Sequence, residues 1–387
     1  MRVIALIGLL LIGLAFSCQQ KEAIVNADEQ LVVEKRRPIS LPRFPSPAAV
    51  AEQTVGIATI KIAYSRPSVI SSDGIDRTGK IWGELVPYDF NFRPAASKGK
   101  PIPWRAGANE NTTIELSHDA RLEGQPLKAG KYGLHVAVHE KEGAMIILSN
   151  KTDGWGSFSY DERDDALRVE VKTNKIGQTE RLLYSFPKVD KTFAVVALDW
   201  EKKRIPFKVE FDVHGIMLGN FREYLSDTTG LKWRDYNQAA GYCADNNVGL
   251  TDGMNWIEQS IALEESYTNL STKSALLMAQ GNVEEAEKIK NVALEHATAT
   301  ANDYYSYGTS LIKMNKPDKA MEIYQRLSQR WPDDWLTAHG LARGYSAKGD
   351  YKKALEYEIE ALAKAPEGNK GFIESAIITL KQGKDFN

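Results

Sequence analysis

The densest chemistry in the chain lies in Trp104-Arg105-Ala106-Gly107-Ala108-Asn109-Glu110. Arg105 offers a planar fork of five donors, a shape that suits carboxylate or phosphate. Asn109 and Glu110 add paired donor and acceptor groups, and Trp104, like Trp155 further on, is a flat apolar platform for a sugar ring or an aromatic ligand. Arg66 sits in Tyr64-Ser65-Arg66-Pro67-Ser68, and Tyr160 and Asp161 close Gly154-Trp155-Gly156-Ser157-Phe158-Ser159-Tyr160-Asp161. A ligand site would combine Arg66, Trp104, Arg105, Asn109, Glu110, His135, Trp155 and Tyr160. In the structural alternative, Arg66 or Arg105 pairs with Glu110 inside the fold and the glycines only turn the chain.

Catalysis would fall to Glu110, His135 or Asp161. A hydrolase acting on a glycan or peptide needs a second carboxylate across a cleft from Glu110; Asp161 and Glu84 qualify by residue type alone. No complete catalytic motif occurs, so binding without turnover is the leading expectation and a hydrolase the alternative. His135 and His139 sit in an alternating, strand-like segment. There the two rings would stand about 13 Å apart, too far to share an ion, so neither a metal nor a cofactor is expected.

These residues fall in a stretch with β patterning, residues 48–211. Thr59–Tyr64, Thr112–Leu116 and Tyr132–Val138 alternate, and Ala144–Leu148 is continuously apolar. Leu167–Val171, Arg181–Phe186, Phe193–Trp200 and Phe207–Phe211 read as further strands, with turns at Glu123-Gly124-Gln125, Ala129-Gly130-Lys131, Asp153-Gly154 and Glu201-Lys202-Lys203. Many short strands without interleaved helices predict an antiparallel sandwich or barrel.

Beyond a connecting helical segment, residues 212–232, the period becomes helical. Ala286, Ala320 and Ala354 lie 34 residues apart, the tetratricopeptide (TPR) period. Counting Ala301 as position 1, Tyr304, Tyr307, Gly308 and Leu311 form one face of a first helix, and Ala320, Tyr324 and Leu327 one face of a second. Small residues at positions 8 and 20 let the helices approach, and Pro332 ends the hairpin. Units beginning at Trp335, Tyr267 and, more divergently, Trp233 follow the frame, with Glu358 a departure at position 24; Gly371–Gln382 would cap the array. The predicted fold class is thus α+β multidomain, a β-sandwich or barrel followed by an all-α TPR-like array over 233–387. Its groove would present Asn302, Tyr305, Thr309, His339 and Arg343 to a peptide or protein, with His339 and Arg343 placed to meet an acidic partner.

Residues 1–18 read as an export signal: Arg2, then the apolar stretch Val3–Phe16, short for a membrane span. Leu14-Ala15-Phe16-Ser17-Cys18 resembles the lipobox of bacterial lipoproteins. The resemblance implies cleavage before Cys18, lipidation of its sulfur and, with Gln19 following, an outer-membrane lipoprotein facing the periplasm or the cell surface. Residues 19–47, with Pro38, Pro42, Pro45 and Pro47, suit a tether of up to roughly 80–90 Å. Cys243 is the remaining thiol and reads as a buried small hydrophobe. A net charge of −2 carries no electrostatic footprint for nucleic acid.

The longer motifs go further. Gly79-Lys80-Ile81-Trp82-Gly83-Glu84-Leu85-Val86-Pro87-Tyr88, the Trp104–Thr113 run, Ala129-Gly130-Lys131-Tyr132-Gly133-Leu134-His135 and the Gly154–Asp161 run resemble the DUF2911 family, strongly over Ser46–Lys172. The resemblance implies a secreted bacterial protein, some relatives sharing the helical tail. The stretch Asp89–Pro103 is longer than in the shorter members.

Overall fold

The computed structural model describes residues 45–91 and 99–387. The signal segment, Cys18 and nearly all of the proline-rich linker lie outside the described residues. The chain divides into a β unit ending at Phe211 and a helical unit beginning at Asp212. Among the described residues no helix is long and apolar enough to cross a membrane.

The β unit holds two antiparallel sheets, as expected. One has six strands in the order β1 (Ala48–Val55), β2 (Ala58–Ser65), β3 (Thr113–Leu116), β6 (Gly130–Val138), β7 (Ala144–Ser149) and β8 (Asp165–Val171). The other runs β5 (Gln125–Leu127), β4 (Ala120–Leu122), β10 (Phe193–Phe211) and β9 (Asn174–Val189). Alternation decides which face is buried: Ile60 and Ile62 of β2 are inside while Lys61 between them is exposed. Central strands β6 and β7 are buried at nearly every position, as strands covered on both faces must be.

One turn expectation is overturned. Glu201-Lys202-Lys203 does not separate two strands but lies inside the 19-residue β10. Glu201 takes a left-handed φ of 53°, and the pairing with β9 shifts register on either side of it. A bulge absorbs the residues that looked like a turn. Past β6, His139 bridges Asp89 (2.5 Å) and Glu170 of β8 (2.8 Å), and both carboxylates hold its ring above the ordinary histidine range.

The helical unit is a ladder of hairpins. It opens with α1 (Val213–Tyr224), capped by Asp212, whose carboxylate accepts from Gly215 N. The hairpins are α2 (Trp233–Asn246) with α3 (Leu250–Leu263), α4 (Tyr267–Ala279) with α5 (Val283–Glu295), α6 (Ala301–Lys313) with α7 (Pro317–Arg330), and α8 (Trp335–Ala347) with α9 (Tyr351–Lys364). Helix α10 (Glu367–Lys381) follows. First helices start at Trp233, Tyr267, Ala301 and Trp335, the step the alanine spacing implied. Ala286, Ala320 and Ala354 are all fully buried. At Ser274, which replaces the small residue at position 8, the hydroxyl donates to the Ala286 carbonyl at 2.7 Å. In the first hairpin Gly253 takes the close-contact role, where a Cβ would come within 2.8 Å of Cys243 Cβ. Cys243 is itself buried and its thiol pushed up to about 11, first by burial. It is part of the core that α1 helps close through Leu218 and Leu225.

Tyr324 shows how tight the array is. A Cβ on Gly308 would stand 2.4 Å from the Tyr324 ring, and one on Gly340 2.6 Å from it. Gly308→Ala should therefore destabilise the helical unit by about 1–3 kcal/mol, because the overpacked ring cannot yield on either side. Gly241→Ala, in open space on α2, should instead be neutral or stabilising by up to about 1 kcal/mol. Denaturant midpoints of the two variants check this; equal midpoints would mean the contact is slack.

Candidate functional site

The Trp104–Asn109 loop is held rigidly before it reaches β3. Trp104 exchanges two backbone hydrogen bonds with Val136 of β6, at 3.1 and 2.8 Å. The Ala106 carbonyl accepts from the Tyr184 hydroxyl at 3.0 Å and from Thr112 Oγ1 at 3.3 Å. Ala106 and Asn109 both adopt left-handed φ, 52° and 60°, a conformation that costs energy for a residue with a Cβ and that the surrounding bonds must enforce. Trp104 donates through Nε1 to the Gly107 carbonyl and stacks on Trp200 with centroids 5.9 Å apart, while Trp82 meets both rings edge-on.

This loop forms one wall of a cavity of about 300 Å³. Trp104, Arg105 and Asn109 line it together with Ser68, Arg77 and Trp200. Arg105 Nη1 donates to the Asn109 carbonyl at 2.7 Å, and Asn109 Nδ2 to the Ser46 carbonyl at 3.0 Å. Burial holds the Arg105 guanidinium below its ordinary range. Among the described residues no carboxylate lines the cavity.

The other candidates lie elsewhere. Arg66 is tied by Nε to the Leu182 carbonyl at 2.9 Å. Glu110 lines a separate hollow beside β1 with Tyr64 and Asn111. His135 is 3 % exposed, with Nδ1 2.8 Å from Ser157 Oγ and its ring edge-on to Tyr160. Burial, with Arg105 nearby, pushes its pKa down to about 4. Asp161 caps the short 3-10 turn Glu162–Asp164 and is gripped by the Arg163 side chain, which holds the carboxyl well below the usual range. Tyr160 donates to Asp165 Oδ2 at 2.7 Å and accepts from Arg168 at 2.9 Å; burial and then that carboxylate push the phenol up. Trp155 is exposed. Of the eight residues expected to share a ligand site, Trp104, Arg105 and Asn109 line the cavity. The internal pairing of Arg105 with Glu110 does not form either. Sequence reading missed Trp200, hidden in an apolar run that reads as core, and Arg77, which looks like a turn residue. It also missed Ser157, the hydroxyl partner of His135. Only the lining of the cavity reveals the first two.

In the array the groove reading needs one correction. His339 does not offer itself to an acidic partner: it is buried, with Nδ1 2.9 Å from both carboxylate oxygens of Glu358, itself fully buried on α9. Glu358 is the departure from the repeat at position 24, and His339 is what makes it tolerable. Asn302 is exposed, and the Thr309 hydroxyl lies 3.2 Å from that of Tyr324. Tyr305 and Arg343 remain on a hollow of about 540 Å³ with Phe372, Ser375 and Thr379 of α10. The segment Asp385–Asn387, held on α8, forms part of its wall.

Residues 46–209 match the family DUF2911, described as a protein of unknown function, so the β unit carries the family resemblance its motifs implied. No curated protein matches the chain. The helical region is similar to solved TPR structures. MamA is 19 % identical over 40 % of this chain and 89 % of its own, with a TM-score of 0.30. YrrB, described as a TPR protein with an unusual peptide-binding site, is 16 % identical over 44 % and 85 %, with a TM-score of 0.27. A MamA fragment from Desulfovibrio magneticus RS-1 is 16 % identical over 40 % and 92 %, also at 0.27.

The two histidines should respond to pH with opposite signs. His135, depressed in the folded state, leaves the unfolded chain binding more protons between about pH 6.5 and 4. Stability should fall by on the order of 3 kcal/mol as pH drops through that window, since about 2.5 pKa units separate the two states. His139, raised, contributes fully below about pH 6.5 and loses its contribution as pH rises through its folded pKa. His135→Asn should flatten the acid limb of the stability profile; an unchanged limb would refute the assignment.

Proposed function

We propose that the protein is an envelope-anchored scaffold whose helical array docks an extended peptide segment of a protein partner. The observation that carries this is the chain's own Asp385–Asn387 lying along the first-helix face of the array. Ser346 Oγ donates to Asp385 Oδ1 at 2.6 Å, Phe386 N donates to Ser346 Oγ at 3.3 Å, and Asn387 Nδ2 donates to the Arg343 carbonyl at 3.1 Å. The Arg343 guanidinium stands 6.0 Å from the Phe386 ring centroid, within cation–π range. Burial lifts the Asp385 carboxyl, but the hydrogen bonds from Ser346 and the neighbouring amides outweigh it and leave the group below its ordinary value.

An acid followed by an aromatic residue is therefore the pattern this groove accepts. A partner segment of that kind competes with residues 385–387 for Ser346, Arg343 and the face of His339. The address rests on the Leu14–Cys18 pattern, which supports lipidation at Cys18 and an outer-membrane location, with the proline-rich 19–47 as the tether.

Removing residues 385–387 should raise the affinity of the array for a fluorescent peptide containing Asp-Phe-Asn by about tenfold or more, read by polarisation. Arg343→Ala in the shortened chain should reverse the gain. A peptide that binds neither form would end the docking reading. For the anchor, Cys18→Ser should move the protein from the membrane to the soluble fraction and abolish incorporation of labelled fatty acid.

A further inference from the structure

Two half-buried arginines of the β unit meet acids: Arg168 meets Asp165, and Arg204 meets Asp199, each at 2.6 Å. Arg105 has no such partner among the described residues. Of its five N–H groups one, on Nη1, reaches an acceptor, the Asn109 carbonyl. Its guanidinium is fixed rather than loose. A Cβ on Gly156 would lie 2.7 Å from Arg105 Cζ, so the plane rests on bare backbone there, and the Phe158 ring sits 5.4 Å away. Burial of even part of a cation without a counter-charge costs the fold free energy, and several surrounding bonds hold the loop that carries it in place.

The rest of the cavity suits an occupant of opposite charge. Arg77, also in the lining, uses Nε and Nη2 on the carbonyls of Val69 and Ser68, leaving Nη1 without an acceptor among the described residues. Trp200 lines the same space, is 1 % exposed, and its indole N–H has no hydrogen-bond partner among the described residues. The hydroxyls of Ser68 and Ser157 also line it but are engaged, that of Ser68 on the Ile70 carbonyl and that of Ser157 with His135 Nδ1, which leaves the arginines and the indole as its donors. Leu85, Val86 and Pro87 add apolar lining, Val86 buried and Leu85 partly exposed. A few fixed donors set in a largely apolar lining are the makings of a small-molecule site.

We propose that this cavity binds a small organic anion, its carboxylate or phosphate on Arg105 and its apolar body against Trp104 and the Leu85–Pro87 lining. The guanidinium fork matches either oxyanion group, and binding supplies the counter-charge that the fold withholds. At about 300 Å³ the space fits a compact ligand rather than a polymer chain. The inference concerns the β unit alone and stands or falls independently of peptide docking on the array.

The test uses the full chain with benzoate and phenyl phosphate as anionic probes and benzamide as the neutral match, up to about 10 mM. Calorimetry and tryptophan fluorescence follow binding, since two cavity rings are indoles. At least one anion should bind saturably while benzamide binds about tenfold more weakly or not at all; the tighter of the two tells carboxylate from phosphate. Arg105→Gln should weaken the preferred anion about tenfold or more. Ala108→Leu, which fills the cavity and keeps the guanidinium, should weaken it likewise with the thermal midpoint held, and it decides the matter if Arg105→Gln does not fold. Silence from both anions, equal binding of benzamide, or undiminished binding by a folded variant would overturn the proposal.

Discussion

Within the hairpins of the helical unit, small residues sit where the two helices meet. Ala286, Ala320 and Ala354 are fully buried there, and Gly308 is there because the Tyr324 ring occupies the space a side chain would need. This close contact fixes the angle of each hairpin and hence the step to the next. A constant step stacks the first helices side by side, which places Tyr305, Arg343 and Phe372 around one hollow although they come from three different helices. The recognition surface follows from a packing limit on the other side of the same helices.

The β unit solves a different problem. Its Trp104–Asn109 loop is neither strand nor helix, and it adopts unfavourable backbone at Ala106 and Asn109. Buried hydrogen bonds from Tyr184 and Thr112, and the indole stack of Trp104 on Trp200, hold it there. Strain of this kind persists only where the surroundings over-determine it. Its effect is to fix Arg105 at the cavity wall with most of its donors unused.

What could be read from the residues divides along the same physical line. The array was legible because its contacts are local: a helix face repeats at fixed spacing, and a small residue at position 8 or 20 announces itself. The long β9–β10 hairpin was not, because a bulge at Glu201 carries the same local signs as a turn, and only pairing with the neighbouring strand tells them apart. In the candidate site the loop residues Trp104, Arg105 and Asn109 were legible by type. Trp200 and Arg77 were not, since they reach the cavity from other segments of the chain. Glu110 and Arg66 matched the chemistry but not the place. His339 was misread for a related reason: its partner Glu358 lies on the next helix, where it looked like a flaw in the repeat.

That flaw has a consequence for how freely the hairpins can be shuffled. A TPR unit is in principle a cassette, since each contacts only its neighbours. The fourth hairpin is not: His339 on α8 and Glu358 on α9 are fully enclosed and answer each other. Transplanting either helix alone would strand a dry carboxylate or imidazole in its new surroundings, a penalty of roughly 3–5 kcal/mol. This unit can be duplicated, deleted or grafted only whole, so any rearrangement of the array by gene duplication must respect the boundary between α7 and α8.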